Sequence, residues 1–318
     1  GDLETAQEIL EGLFDWFYHR QPPAIIGFGD MVLSKAHGHD AHAVACAWAA
    51  LAALKRGDIE QAQELADTGT RVEGAASRFA WFMAGEIASH QQRLPEALDA
   101  YRKQRIRASH LDDPIGVIDS TAGEALALAY QGEYPQAVEV AADLRRLAGE
   151  VGAPTYRAYA DYAMAVSIAD TDFPQARELF EDASRRAESV NNQFIEALAK
   201  SALGSILSRR DPGVEATRLL HAAMEIWDNM GLPAYQWAIV QYLAGVIAEA
   251  GDVDTAGLLL AAADHAGRLG LGPGQRHWAE VSRALRSDER WEVWSSAARG
   301  LDLVKAVDIA LTSTQLRR

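Results

Sequence analysis

Three imidazoles and a carboxylate fall within six residues at His37-Gly-His39-Asp40-Ala-His42, a ligand set that zinc accepts. Short histidine clusters are weak metal signals. This one stands in the place of a linker before the apolar run Ala43–Leu54, where Asp40 is expected to serve as a helix N-cap. The expectation is a solvated loop, with a metal-dependent enzyme built on His37, His39 and His42 as a third reading. No Gly-Lys dipeptide occurs, so a phosphate-binding P-loop is excluded, and Gly-x-Gly-x-x-Gly, Gly-x-Ser-x-Gly and His-Glu-x-x-His are absent. No catalytic residue, metal or cofactor is therefore assigned, and the chain is expected not to be an enzyme. Its one cysteine, Cys46, permits neither an internal disulfide nor a cysteine-based zinc site, which fits a reducing cytoplasm.

Aromatic residues form the other chemically notable set: Phe79, Trp81 and Phe82; Tyr156, Tyr159 and Tyr162; Tyr235, Trp237 and Tyr242. Each trio sits early in an amphipathic segment, where its members either pack between neighbouring elements or stack on a ligand. A formal charge of −15, from 30 Lys+Arg against 45 Asp+Glu, opposes a phosphate backbone, so direct nucleic-acid binding is not expected. The longest apolar run covers twelve residues, Ala43–Leu54, short of the ~20 that cross a bilayer; it reads as a buried helix. The chain opens Gly1-Asp2-Leu3 without a signal segment and reads as a piece of a longer protein.

The elements that position these residues repeat. A turn-like cluster followed by alanine recurs at Gly1–Ala6, Gly57–Ala62, Arg93–Ala97, Gly132–Ala137, Asp172–Ala176, Asp211–Ala216 and Gly251–Ala256, and the last five alanines stand 40, 39, 40 and 40 residues apart. A fixed period of this size marks a helical solenoid. Pro114, Pro154, Pro233 and Pro273 lie 40, 79 and 40 apart, with Asn191-Asn192 filling the wide gap; Pro is favoured at the first turn of a helix. Between markers the apolar spacing is helical, as in Phe194, Leu198, Ala202, Ile206. The spacing predicts helix pairs at 76–91/94–110, 114–131/134–150, 154–169/173–189, 192–209/212–230 and 233–250/252–269. Gly85, Ala125, Gly204 and Ala244, each twelve positions before a marker alanine, let paired backbones approach, and a bulky residue there should cost ~1–3 kcal/mol.

These positions are similar to the tetratricopeptide pattern, best at Trp81, Gly85, Ala97 and Tyr101. The fold this implies is all-α, a right-handed superhelical solenoid of antiparallel helix pairs. Residues 1–75 are expected to form irregular helical repeats, 76–272 the regular array and 273–318 a terminal cap. Trp278, Trp291 and Trp294 belong to that cap or to an interdomain contact. From about Phe194 to Leu311 the chain resembles the helical-repeat region of large bacterial, notably actinobacterial, regulators of the LuxR and maltose-activator type. That resemblance rests on Trp227-Asp-Asn-Met-Gly231, Gln236-Trp237, Gly251-Asp252, Ala256–Ala263 and Trp291-Glu-Val-Trp294, with Ala261 replacing the usual glycine.

The resemblance implies a sensor or scaffold domain that binds a protein partner or small-molecule inducer in its concave groove and relays the event to an attached ATPase and output domain. A free-standing adaptor is the alternative. In the tetratricopeptide register the groove-facing positions include Phe82, Glu86, Asp119, Asp161, Tyr162, Gln241 and Tyr242. The same register places no lysine and no asparagine where a carboxylate clamp would need them: Ala47, Phe82, Ala122, Asp161, Ser201 and Gln241 stand at the lysine sites. An acidic groove suits a basic or neutral polar ligand.

Overall fold

Many of the turns between helices carry a residue in the left-handed backbone region, and in several the next side chain caps the helix that follows. Gly57 (φ 85°) and Gly251 (φ 93°) end one helix in a conformation that costs glycine nothing. The aspartates after them, Asp58 and Asp252, accept hydrogen bonds from the Gln61 and Thr255 backbone N–H at 3.1 Å each. Where glycine is missing, Gln92, Asp112 and Asn191 take the left-handed role (φ 60°, 52° and 53°). Pro114, Pro154 and Pro233 then open helices as the spacing predicts.

The computed structural model describes residues 3–20, 27–210, 213–266 and 275–315. Pro273, the turn pair Asp211-Pro212 and the Trp278 side chain lie outside the described residues. Among those described, the helices are α1 (Leu3–Arg20), α2 (Phe28–Leu33), α3 (Ala41–Arg56), α4 (Ile59–Thr70), α5 (Ser77–His90), α6 (Leu94–His110), α7 (Pro114–Gln131), α8 (Tyr134–Val151), α9 (Pro154–Ile168), α10 (Phe173–Ser189), α11 (Gln193–Arg210), α12 (Val214–Asn229), α13 (Pro233–Glu249), α14 (Val253–His265), α15 (Gln275–Arg286), α16 (Trp291–Ala298) and α17 (Leu303–Gln315). No strand occurs among the described residues. The ten helices α5 to α14 match the spaced pairs to within a few residues at each end.

Two units divide within α11, at Ile195 and Glu196. In the first unit, α3/α4, α5/α6, α7/α8 and α9/α10 are helix pairs joined by short turns and therefore antiparallel. Each helix packs on the next in sequence, and α3 packs on α5, α5 on α7 and α7 on α9. The first helices thus form one continuous layer. Marker alanines Ala62, Ala97, Ala137 and Ala176 are fully buried between the helices of their pairs. Close approach is absolute at two glycines: a Cβ on Gly85 or Gly123 would stand 2.6 Å or 2.4 Å from the ring of Tyr101, which wedges between α5 and α7. Helix α3 is buried from Ala41 to Lys55 because α1, α2, α4 and α5 all pack against it.

In the second unit α12 packs on α13 and α13 on α14. The chain then doubles back: α16 packs on α14, α17 on α13, and α15 touches both. Trp294 of α16 is buried against α14, where a Cβ on Gly257 would come within 2.1 Å of its ring. Its indole N–H donates to Asp254 Oδ1 at 3.0 Å.

Candidate functional site

The histidine cluster is not gathered into a ligand set among the described residues. His37 is exposed, the ring of His42 is buried 4.7 Å from it, and burial followed by the His37 charge lowers the His42 pKa. Asp40 occupies the N-cap position of α3 but has helical backbone angles and caps nothing with its side chain; His39 Nδ1 accepts the Ala41 N–H at 3.0 Å instead. Among the described residues no group of three His, Cys, Asp or Glu side chains is arranged to hold a metal ion.

The first helices of the repeats carry a richer arrangement, and α1 lies across them. Leu10, Phe14, Phe17 and Tyr18 share one face of α1 at helical spacing and are buried. Phe17 stacks on Trp48 of α3, with centroids 4.2 Å apart and planes 2° from parallel, and the Trp48 indole N–H donates to the Leu10 carbonyl at 3.0 Å. Phe14 meets Phe79 and Phe82 of α5 at 4.6 and 6.4 Å. Tyr18 packs edge-on against Phe82 at 4.8 Å. At the next residue, the His19 ring lies 5.7 Å from Tyr156 and 5.6 Å from Tyr159 of α9, and its Nε2 stands 3.1 Å from Asp119 Oδ1 of α7. Four successive first helices therefore present aromatic and carboxylate groups to one seated helix.

Electrostatically this interface is crowded. Glu86 accepts hydrogen bonds from the hydroxyls of Tyr18 at 2.8 Å and Tyr101 at 2.6 Å, and burial raises its pKa despite both. Asp15, half-buried on α1, is pushed up to about 8, first by burial and then by the Asp119 and Asp113 charges, while Arg78 pulls the other way. Arg78 donates to Asp113 Oδ2 at 2.9 Å and to Glu11 Oε2 at 3.2 Å, and its guanidinium covers the Phe79 ring at 4.0 Å. Burial holds the Tyr101 and Tyr159 phenols well above their usual range. Carboxylates, phenols and an imidazole are here joined to one another, an arrangement for recognition through aromatic contact and charge-assisted hydrogen bonds.

The positions expected from the register separate into three groups. Phe82, Glu86 and Asp119 all meet α1. Tyr162 continues the row, 6.4 Å from Tyr159 and 6.0 Å edge-on from Phe180. Asp161 does not join them: its two oxygens bind Arg145 of α8 at 3.2 Å and Arg186 of α10 at 3.1 Å, because a buried carboxylate needs cations and the second helices supply them. Gln241, half-buried, and Tyr242, buried, lie on α13 in the second unit. Sequence reasoning missed Asp15, Tyr18, His19 and Arg78. The usable signal was the buried stripe Leu10, Phe14, Phe17, Tyr18, too rich in aromatics for an ordinary repeat helix.

No family model matches the chain, and no curated protein matches its sequence. Solved structures do match. The Rap protein complexed with competence and sporulation factor superposes with a TM-score of 0.67 at 11% identity, over 99% of this chain and 89% of Rap. NprR in complex with its cognate peptide NprX gives 0.61 at 15% identity, over 100% of this chain and 95% of NprR. The fold is tetratricopeptide-like. A signal transduction ATPase with numerous domains and a tetratricopeptide repeat sensor, from Pyrococcus horikoshii, gives 0.54 at 14% identity over 100% of this chain and 47% of that protein. This tetratricopeptide-like chain spans about half that ATPase's length. At these identities the likeness carries the architecture. No helix among the described residues is long and apolar enough to cross a membrane.

Proposed function

We propose that this chain is the ligand- or protein-binding sensor of a multidomain signalling ATPase, a transcriptional regulator of the LuxR or maltose-activator type, acting in the cytoplasm and catalysing nothing itself. The observation that carries this reading is the layer formed by α3, α5, α7 and α9, whose Trp48, Phe82, Glu86, Asp119 and Tyr159 all face one helix-sized occupant. Aromatic and acidic groups set along one face suit a peptide or protein segment with apolar and basic character. In this reading Phe82, Glu86, Asp119 and Tyr162 are partner residues of the first unit, Gln241 and Tyr242 are partner residues of the second, and 273–318 caps the array. Support comes from the tetratricopeptide sensor of the Pyrococcus horikoshii ATPase, and from Rap and NprR, the latter two solved with a factor and a peptide bound. Residues Phe194–Leu311, with Trp227, Trp237, Trp291 and Trp294 in the pattern described above, favour the ATPase regulators in particular.

The test is the coding sequence on either side of Gly1 and Arg318. A nucleotide-binding P-loop domain in the same reading frame is expected; a stop and a start codon flanking the chain without one sinks the proposal. A second reading, a free-standing adaptor, draws on the near-complete overlap with Rap and NprR, of which 89% and 95% are matched.

A further inference from the structure

We propose that α1 is a displaceable self-ligand: it occupies the surface a partner takes, and the partner is a helical segment that offers aromatic side chains at the spacing of Phe14, Phe17 and Tyr18 and an imidazole or cationic group to Asp119 and Glu86. The inference rests on reading the first-helix layer as the partner surface, and it deepens that reading by naming both the present occupant and the chemistry of its competitor.

Within the first unit α1 is joined to the layer differently from the way the repeats are joined to each other. Repeat helices meet through Ala62, Ala97, Ala137 and Ala176, small and fully buried. Helix α1 meets the layer through large rings and, beside them, a row of ionisable groups: Tyr18 on Glu86, His19 on Asp119, and Glu11 on Arg78. That fit is incomplete. His19 Nδ1 and Lys55 Nζ are buried without a hydrogen-bond partner, the lysine lying 4.6 Å above the Phe17 ring, and unsatisfied buried polar atoms weaken a docked pose. Asp15 is brought against the like charges of Asp113 and Asp119. The outer face of α1 is apolar as well, with Ile9, Leu13 and Trp16 exposed by 49, 37 and 50%. A helix apolar on both faces is suited to being covered on both, so α1 has a surface with which to dock elsewhere when it leaves the layer.

Two measurements on the full chain test this. Hydrogen exchange should show α1 amides opening at least about tenfold more readily than those of α3, as a locally unfolding segment does. A fluorescent synthetic peptide of residues 3–20 should bind the Phe17→Ala chain about tenfold or more tightly than the unaltered chain, because the competing helix in cis is weakened and apparent affinity follows the open fraction. Should Phe17→Ala fold poorly, Tyr18→Phe with His19→Ala loosens the same helix without touching the Trp48 stack. A peptide carrying His19→Ala should bind more weakly than the parent. Exchange of α1 in step with α3 would overturn the proposal by showing α1 to be a fixed part of the core. Early opening of α1 with no peptide binding by either variant would instead overturn the partner-surface reading, and the proposal with it.

Discussion

Helix α1 in the first unit and helices α16 and α17 in the second both lie over helices of the repeats, and they are fastened by different chemistry. Trp294 fills a notch that exists only because residue 257 has no side chain, and its indole N–H is satisfied by Asp254. Around it Arg286 makes two 2.7 Å bonds to the Asp264 carboxylate, Ala306 and Ala310 are buried, and Thr314 meets His221 at 2.8 Å. Helix α1 also buries large rings, yet it places Asp15 and His19 among carboxylates and phenols and leaves polar atoms unmatched. Shape complementarity holds one segment in a single place. At α1 the buried rings are accompanied by crowded, partly unmatched ionisable groups, which solution conditions and competitors can alter.

The largest test of that contrast is Trp294→Ala, which should lower the stability of the second unit by ~3–5 kcal/mol, the cost of emptying a buried tryptophan site. Urea unfolding followed by residue-resolved exchange over α13–α17 checks it; a loss under ~1 kcal/mol would show that the Gly257 notch does not anchor the chain end. Gly123→Ala comes next. Its Cβ would stand 2.4 Å from the Tyr101 ring, the same ring whose hydroxyl donates to Glu86. A cost of ~1–3 kcal/mol is expected in the thermal unfolding of the first unit, together with weaker α1 docking.

A pH titration separates the two segments further. The native Asp15 carboxyl is pushed up to about 8, whereas a free aspartate loses its proton near about 4. Its contribution to stability is therefore complete below about pH 4 and is lost as pH rises through the native value, with Glu86 shifted in the same direction. Protection of α1 should fall between pH 4 and 8, and Asp15→Asn should flatten the dependence and stabilise docking at pH 8 by on the order of 1–2 kcal/mol. Arg78, Asp113, Asp119 and Tyr156 face this carboxyl from the α5 and α9 helices and from the start of α7, so Arg78→Gln should sharpen the same slope. The smallest effect serves as a control. Asp58→Ala and Asp252→Ala each remove one capping bond, and both should cost ~1 kcal/mol in their own units; unequal losses would mean that the units differ in more than their covering helices.

The repeats were legible because their rules are local. Gly57, Asp58, Pro114 and Ala137 act within one turn of the backbone, so spacing alone locates α5 to α14 closely. The register also named Phe82 and Glu86, one turn apart on α5, and Asp119 on α7, three residues that meet α1. The occupant did not follow. His19 meets Asp119 from 100 residues away and Tyr18 meets Glu86 from 68, and neither pairing leaves a trace in any local period. Asp161 misled for a related reason, because its register matches the groove while Arg145 and Arg186 claim its charge. Asp40 shows the converse, a capping residue at a capping position whose neighbour His39 supplies the acceptor.

One buried atom turns the first unit into its own reporter. The Cys46 thiol is wholly enclosed in α3, its proton held up to about 11 by burial, and it is the chain's sole cysteine. Packed against it, α4 brings Gly69 so near that a Cβ there would lie 3.0 Å from the cysteine Cβ. A thiol-reactive dye added to folded protein has a single target, and the packing around α3, α4 included, must open before that target ionises. The labelling rate is thus a stopwatch for breathing of the packing around α3, readable without introducing a foreign probe.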